Sequence, residues 1–135
     1  MAEDIRQNFG TDTAITISLD DLADGSSATS NAIDLGNPGP FALALEAKLD
    51  GAGAGATGVC AIHAQWSNDN TDFSDSGNDL LIGVVQMNGT TAVIKVLNVP
   101  VRARYLKLRV ANDSGAALAA SGNTLRYVPL SVDQA

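Results

Sequence analysis

The chain has 135 residues and a formal net charge of −7; 45% of its residues are hydrophobic and only 4% are aromatic. This length fits one domain of ordinary size and is too short for two. The acidic balance argues against nucleic acid and against an anionic membrane as partners, because both require a cationic surface. No segment approaches the roughly 18 apolar residues that a membrane span requires.

The start of the chain has no clear hydrophobic period, unlike the residues that follow it. We interpret residues 1–12 as an N-terminal arm that becomes ordered on a partner, and residues 13–135 as the folded domain. Within this arm, Ile5 and Phe9 are candidate apolar anchors for the partner.

Alternating apolar and polar residues dominate the rest of the chain, in short runs separated by Gly, Asn, Asp, Ser and Pro. In the third run, for example, Leu43 and Leu45 point to one face while Glu46 and Lys48 point to the other. The sequence therefore predicts an all-β, single-domain antiparallel β-sandwich, jelly-roll-like, with about eight strands. The predicted strands are 13–19, 31–35, 41–49, 58–67, 80–87, 92–99, 102–111 and 124–132.

Several connections between these strands have a distinctive composition. Asn88-Gly89, between the fifth and sixth strands, predicts a two-residue hairpin turn because both residue types tolerate a positive φ. Three segments rich in Gly, Ala, Ser or Asp predict long, mobile loops at residues 20–29, 51–56 and 112–122.

The sequence contains few residues that favour catalysis. Cys60 and His63 lie three positions apart on one predicted strand, so their side chains point to opposite faces and do not form a nucleophile–base pair. Cys60 is the only cysteine and lies in an apolar run, which predicts a buried, inert thiol. We therefore predict a protein that is not an enzyme and that has no cofactor.

One acidic segment has the spacing of a calcium loop. Asp69, Asp72 and Asp75 lie in an Asx-rich stretch, but this stretch lacks the glycine and the terminal glutamate of a helix–loop–helix calcium site. We interpret it as a turn between two strands and predict no metal, with a calcium site formed by these three aspartates as the alternative.

The cations are concentrated in one part of the chain, with five of the eight Lys and Arg residues between positions 95 and 109. Arg102, Arg104, Lys107 and Arg109 are candidate contacts to an acidic partner. Two alternatives stay open: these side chains form an ordinary solvated strand face, or one of the arginines is an internal clamp.

Two segments, QWSNDNTDFSD at residues 65–75 and VPVRARYLKLRV at 99–110, resemble small virion proteins of tailed phages when they are taken together. The segment 112–130 resembles the same proteins. This resemblance implies a bacteriophage capsid decoration or cement protein, which binds the major capsid protein on the outer surface of the head. It also implies a homotrimer that stabilises the shell by bridging capsid subunits, and a location in the virion after assembly in the host cytoplasm. A thin core that gains stability from association is compatible with an oligomer.

The same motifs resemble, more loosely, discoidin-like and carbohydrate-binding jelly rolls, although Asn70 stands where their turn has a glycine. The low aromatic content argues against a cleft in which sugars stack. Two alternative functions therefore remain beside capsid decoration: a tail or head-fibre component, and a carbohydrate-binding or adhesive module.

Overall fold

A computed structural model describes residues 5–75 and 77–134, and this part of the chain contains β-strands and no helix. Its ten strands are β1 (Ile5–Phe9), β2 (Thr13–Ala14), β3 (Ser27–Thr29), β4 (Ile33–Asp34), β5 (Ala42–Leu49), β6 (Val59–Ser67), β7 (Leu80–Gln86), β8 (Val93–Pro100), β9 (Tyr105–Asp113) and β10 (Thr124–Gln134).

The strands form two antiparallel sheets that pack against each other. The front sheet has the order β1-β10-β5-β8, with β2 also paired to β10. The back sheet has the order β3-β9-β6-β7, with β4 also paired to β9. The prediction of an all-β, antiparallel sandwich is therefore confirmed.

The core lies between the sheets and consists mostly of aliphatic side chains. Leu45 on β5 and Leu108 on β9 are fully buried, as is Ile62 on β6. Their neighbours in sequence point outward, because successive residues of a strand alternate between its two faces. Cys60 belongs to this core and His63 lies on the opposite face of β6, as the sequence predicts.

Strands β1 and β3 were not expected from the sequence, and the first two predicted strands are much shorter than expected. Of 13–19 only Thr13–Ala14 is a strand, and of 31–35 only Ile33–Asp34. Beyond these pairs, Ile15 and Leu19 still contribute to the core, so the apolar alternation marks buried positions where the backbone does not pair continuously.

Part of the segment interpreted as an arm, Ile5–Phe9, is the edge strand β1. It pairs with the C-terminal half of β10, and Phe9 lies opposite Leu130. The side chains of Arg6 to Phe9 are exposed, so β1 adds backbone hydrogen bonds to the sheet but little to the core. The side chain of Ile5 lies outside the described residues.

The predicted hairpin at Asn88-Gly89 is wrong. Strand β7 pairs with β6 in the back sheet, whereas β8 pairs with β5 in the front sheet, so this connection crosses between sheets. A tight turn is nevertheless present: the amide of Thr91 donates to the carbonyl of Asn88 (3.0 Å), and Gly89 has a φ of 58°. Asn88-Gly89 correctly predicts a turn, but long-range packing decides which strands pair.

The segments predicted as mobile loops are packed against the sandwich. Leu118 and Ala56 are fully buried, and Gly51 forms an isolated bridge with Leu118. A side chain at Gly51 would collide with the backbone oxygen of Gly89, whereas one at Gly53 would meet no atom within 4 Å.

We therefore expect Gly51→Ala to lower the free energy of unfolding by about 1–3 kcal/mol, because overpacking forces the backbone to shift. Gly53→Ala, two residues away, is the matched control and should leave stability nearly unchanged. Urea denaturation followed by tryptophan fluorescence measures both. Equal stability of the two variants would show that residues 51–56 are not held as tightly as the packing indicates.

Candidate functional site

The four cations predicted to bind a partner do not form one exposed patch. Arg109 is largely buried on the outer face of the back sheet, where Nε lies 2.7 Å from Asp79 Oδ2. The side-chain amide of Gln65 also donates to that oxygen, with Nε2 at 3.5 Å. His63 Nδ1 lies 3.4 Å from Asp79 Oδ1, within ion-pair distance but without a hydrogen bond. Arg109 is therefore an internal clamp, one of the alternatives that the sequence left open.

Asp79 is the centre of this cluster, since all three of the other side chains lie against its carboxylate. Its side chain is only 3% exposed. The hydrogen bond from Arg109 is the main reason that the pKa of Asp79 lies below its ordinary value, and it outweighs the opposing effect of burial. Asp79 also ends the segment that joins β6 to β7. The clamp therefore anchors this segment beside the back sheet.

Arg104 has an intramolecular partner as well, but an exposed one. Its guanidinium forms two hydrogen bonds with the carboxylate of Asp34 (2.9 and 3.1 Å) and lies 5.1 Å from the centre of the Tyr105 ring. The hydrogen bond with Arg104 lowers the pKa of Asp34. Because both groups are well exposed, the pair contributes little to stability.

The other two cations differ from each other. The amine of Lys107 lies 4.4 Å from the centre of the Phe73 ring, so it packs on the segment after β6. Arg102 is exposed and lines an open depression of about 420 Å³ together with Arg104 and Val101. Of the four predicted cations, only Arg102 and Arg104 are exposed to solvent.

Two of the three aspartates of the calcium alternative, Asp69 and Asp75, each stabilise a turn of their own. Asp69 Oδ1 accepts hydrogen bonds from the Ser67 hydroxyl and from the amides of Thr71 and Asp72, all at 2.9 Å. The hydrogen bond from the Asp72 backbone amide has the largest effect on the pKa of Asp69, and the one from Thr71 has the next largest. Together they lower this pKa to about 2. This is the geometry of an Asx turn.

Asp75 has partners in a neighbouring turn. Its Oδ1 accepts from the Gly77 amide at 3.2 Å and from the Asn78 side chain at 2.8 Å. Among residues 5–75 and 77–134, no three His, Cys, Asp or Glu side chains converge as metal ligands would. The geometry thus gives no support to a calcium site formed by Asp69, Asp72 and Asp75.

The lowered pKa values of Asp69 and Asp79 predict acid sensitivity. Both carboxylates bind a proton more weakly in the folded than in the unfolded state, so they stabilise the fold above about pH 4 and lose this effect as the pH falls through the folded-state pKa. For Asp69 that pKa is about 2.

We expect the free energy of unfolding to decrease between about pH 4 and pH 2, as measured by urea denaturation at each pH. The variant Asp69→Asn should be less stable than the parent at neutral pH and should lose less stability on acidification. An equal loss in variant and parent would show that Asp69 does not contribute to the acid sensitivity.

One end of the sandwich is strongly acidic. Asp20 accepts hydrogen bonds from Asn123, Asp24 accepts one from the Gly115 amide, and the Asp50 amide donates to Asn123. Asp21 lies in one of these segments and Asp113 ends β9 beside them, and residues 20–25, 50–58, 87–91 and 111–123 contain no Lys, Arg or His. Much of the net negative charge is therefore located at this end.

Large apolar side chains are exposed on both outer faces of the sandwich, a feature that the sequence interpretation did not identify. The front sheet exposes Phe9, Ile94, Val96 and Val132, by 56–67%. The outer face of the back sheet exposes Leu81 and Val84 along β7, whereas Leu80, registered with the buried Ala64, is exposed at the start of the strand. The signal was present in the sequence: β7 and β8 carry apolar residues on both faces, where a strand with one wet face would alternate.

No protein-family model matches the chain, and no curated protein matches it. In the described part of the chain, no helix is long and apolar enough to cross a membrane.

Proposed function

We propose that the protein is a non-enzymatic structural protein of a phage virion, a capsid decoration or cement protein that stabilises the head by bridging capsid subunits. The observation that carries this proposal is the exposure of apolar side chains on both outer faces, with Ile94 and Val96 in front and Leu81 and Val84 behind. A bridging protein needs at least two separate contact surfaces, and a β-sandwich with two apolar outer faces provides them.

Three of the four cations that the sequence singled out have partners within the chain, which supports a role in adhesion. Arg109 and Asp79 form an internal clamp, Arg104 pairs with Asp34, and Lys107 packs on Phe73. These polar side chains therefore have partners within the chain, and one of the pairs, Arg109 with Asp79, anchors the segment between β6 and β7. A protein of this kind acts through the shape and polarity of its surface.

The strand order supports a jelly-roll architecture within this proposal. If β1 with β2, and β3 with β4, are each counted as one interrupted strand, the chain has eight strands. The front sheet then has the order 1-8-3-6 and the back sheet 2-7-4-5. This is the order of two interleaved Greek keys, an architecture used by viral capsid proteins and by lectins.

The proposed assembly is a homotrimer on the outer surface of the head, with the major capsid protein as its partner. The resemblance at residues 65–75 and 99–110 supports this part of the proposal. Each contact would be modest, and several contacts from one oligomer would add up through avidity. The location is accordingly the virion, after assembly in the host cytoplasm.

Immunogold labelling of virions from the phage that carries the gene tests this function. We expect regular label on the outer surface of heads, and heads that lack the protein should break at lower temperature or at lower salt. Label confined to tails or fibres, or absent from all particles, would contradict capsid decoration. A glycan array with the purified protein tests the carbohydrate-binding alternative.

Deletion of residues 1–10 should weaken attachment to heads while leaving the domain folded. The side chains of Arg6 to Phe9 are exposed, so the core loses little when β1 is removed. Cosedimentation with heads measures attachment, and thermal unfolding measures folding. A deletion that fails to fold would show that the pairing of β1 with β10 is essential to the sandwich.

A further inference from the structure

The outer face of the front sheet carries apolar side chains on all four of its long strands. Phe9, Leu130, Ala42 and Pro100 lie side by side across its four strands, because each is the registered partner of the next. Leu130 and Ala42 are buried although neither belongs to the core between the sheets. These side chains already form a small apolar layer on the outside of the sheet.

The apolar layer continues along the strands. Val96 on β8 is registered with Glu46 on β5, and Ile94 with Lys48, so both valine and isoleucine lie on this outer face. They are 63% and 62% exposed. Exposed apolar side chains at this density mark a surface that another protein covers.

The charges on this face have both signs and cancel. Arg126 Nε lies 3.0 Å from Asp12 Oδ2, and Arg126 is registered with Glu46 on the adjacent strand. Lys48 follows Glu46 on the same face of β5. Among residues 5–75 and 77–134, the face therefore carries two cations and two anions, in a chain whose net charge is −7.

This balance of charges favours a second copy of the chain over other partners as the protein that covers the face. Two copies repel each other at the acidic end around Asp20, Asp24 and Asp50, but not where Asp12, Arg126, Glu46 and Lys48 add up to zero. When the same face of a second copy lies against this face, the described charges of neither face add up to a net charge, so this contact is not opposed by repulsion. A strongly basic or acidic partner would find no complementary net charge here.

The size of the face is sufficient for such a contact. Four strands spaced about 4.8 Å apart and about eight residues long cover roughly 500 Å². Two copies would bury roughly 1,000 Å² in total, at the lower limit for a specific interface.

We infer that the outer face of the front sheet, with Ile94, Val96, Phe9 and Val132 at its apolar positions, is covered by a second copy of this chain. This inference deepens the proposed function and rests on its self-association. A contact of this face with itself is two-fold and pairs two copies, so a trimer would need a further contact between other surfaces. Each copy of the pair keeps the apolar side chains of β7 on its back sheet for the contact with the shell, so the pair as a whole provides the two contact surfaces that bridging needs.

Paired substitutions on the two faces test the inference. The double variant Ile94→Ser with Val96→Ser should dissociate at least about tenfold more readily than the parent, as measured by sedimentation equilibrium over a concentration series. The matched control, Leu81→Ser with Val84→Ser on the back sheet, should associate like the parent. Thermal unfolding of both variants confirms that each is folded. A control that dissociates as readily as the front-sheet variant would overturn the inference.

Charge exchange on the same face provides a second test. Glu46→Lys should weaken association because it leaves three cations and one anion on the face, and adding Lys48→Glu should restore it. The defect of the single variant should shrink as salt is added. A failure of the second substitution to restore association would contradict the role that we give to the charge balance of this face.

The proposed function and this inference fail in different ways. A parent protein that is monomeric at every concentration, yet labels heads, would overturn the self-association surface and leave capsid decoration intact. An oligomer that requires Ile94 and Val96 but labels no head would overturn capsid decoration and leave the surface intact.

Discussion

Asn112→Asp is expected to destabilise the sandwich by about 3–5 kcal/mol, although it replaces a single amide group by a carboxylate of the same shape. Asn112 is fully buried near the end of β9. Its amide nitrogen donates to the carbonyls of Leu22 and Ala116, both at 2.9 Å, while its Oδ1 accepts from the Ser114 amide at 3.0 Å. The substitution removes both donors and buries a negative charge beside two carbonyl oxygens.

Urea denaturation at several pH values measures this effect. The new carboxyl group would be neutral at low pH and would then donate one hydrogen bond, so the stability gap between variant and parent should narrow as the pH falls. Asn98→Asp, on the exposed face of β8, is the matched control and should change stability little. A gap that is small at neutral pH would show that Asn112 does not hold the segment 112–122 in place.

The role of Asn112 shows why the three loops were misjudged as mobile. Their composition, rich in Gly, Ala and Ser, gives no sign of order, because small residues offer few side chains to pack. Order comes instead from a few anchors within these loops, Leu22, Ala56 and Leu118, which pack against core residues from other parts of the chain. A single sequence gives the positions of these residues but not their contacts.

The long central strands were the predictable part of the fold. Residues 41–49 alternate regularly, and β5 occupies Ala42–Leu49 with its leucines inward. Strand pairing was not predictable at Asn88-Gly89, where a good turn signal joins strands of different sheets. Local residues determine whether the chain turns, while burial of apolar residues such as Val85 and Val99 determines the sheet to which each strand belongs.

The structure does not bring together the four cations that the sequence predicted as one set. Arg102, Arg104, Lys107 and Arg109 were grouped because they lie close together in sequence. On a strand, however, neighbouring charges meet different partners, and those partners are distant in sequence: Asp34 lies 70 positions from Arg104, and Asp79 lies 30 from Arg109. The apolar outer faces were not predicted, although strands β7 and β8 carry apolar residues on both faces.

Asp79→Ala is expected to lower the free energy of unfolding by about 3–4 kcal/mol, because it leaves the largely buried guanidinium of Arg109 without its partner. The side chains of Asp79 and Arg109 are only 3% and 16% exposed, so water replaces the lost carboxylate poorly. Asp34→Ala is the control: it removes the partner of Arg104 from an exposed pair and should change stability little.

A double-mutant cycle separates the clamp from its components. Replacing both partners, Asp79→Ala with Arg109→Leu, should cost less than the sum of the two single substitutions, because no unpaired charge is left buried. Urea denaturation of the four proteins supplies the coupling energy. Additive effects would show that the two side chains stabilise the back sheet independently. Coupling would instead establish that one ion pair anchors the segment between β6 and β7, beside the apolar surface that we assign to the shell.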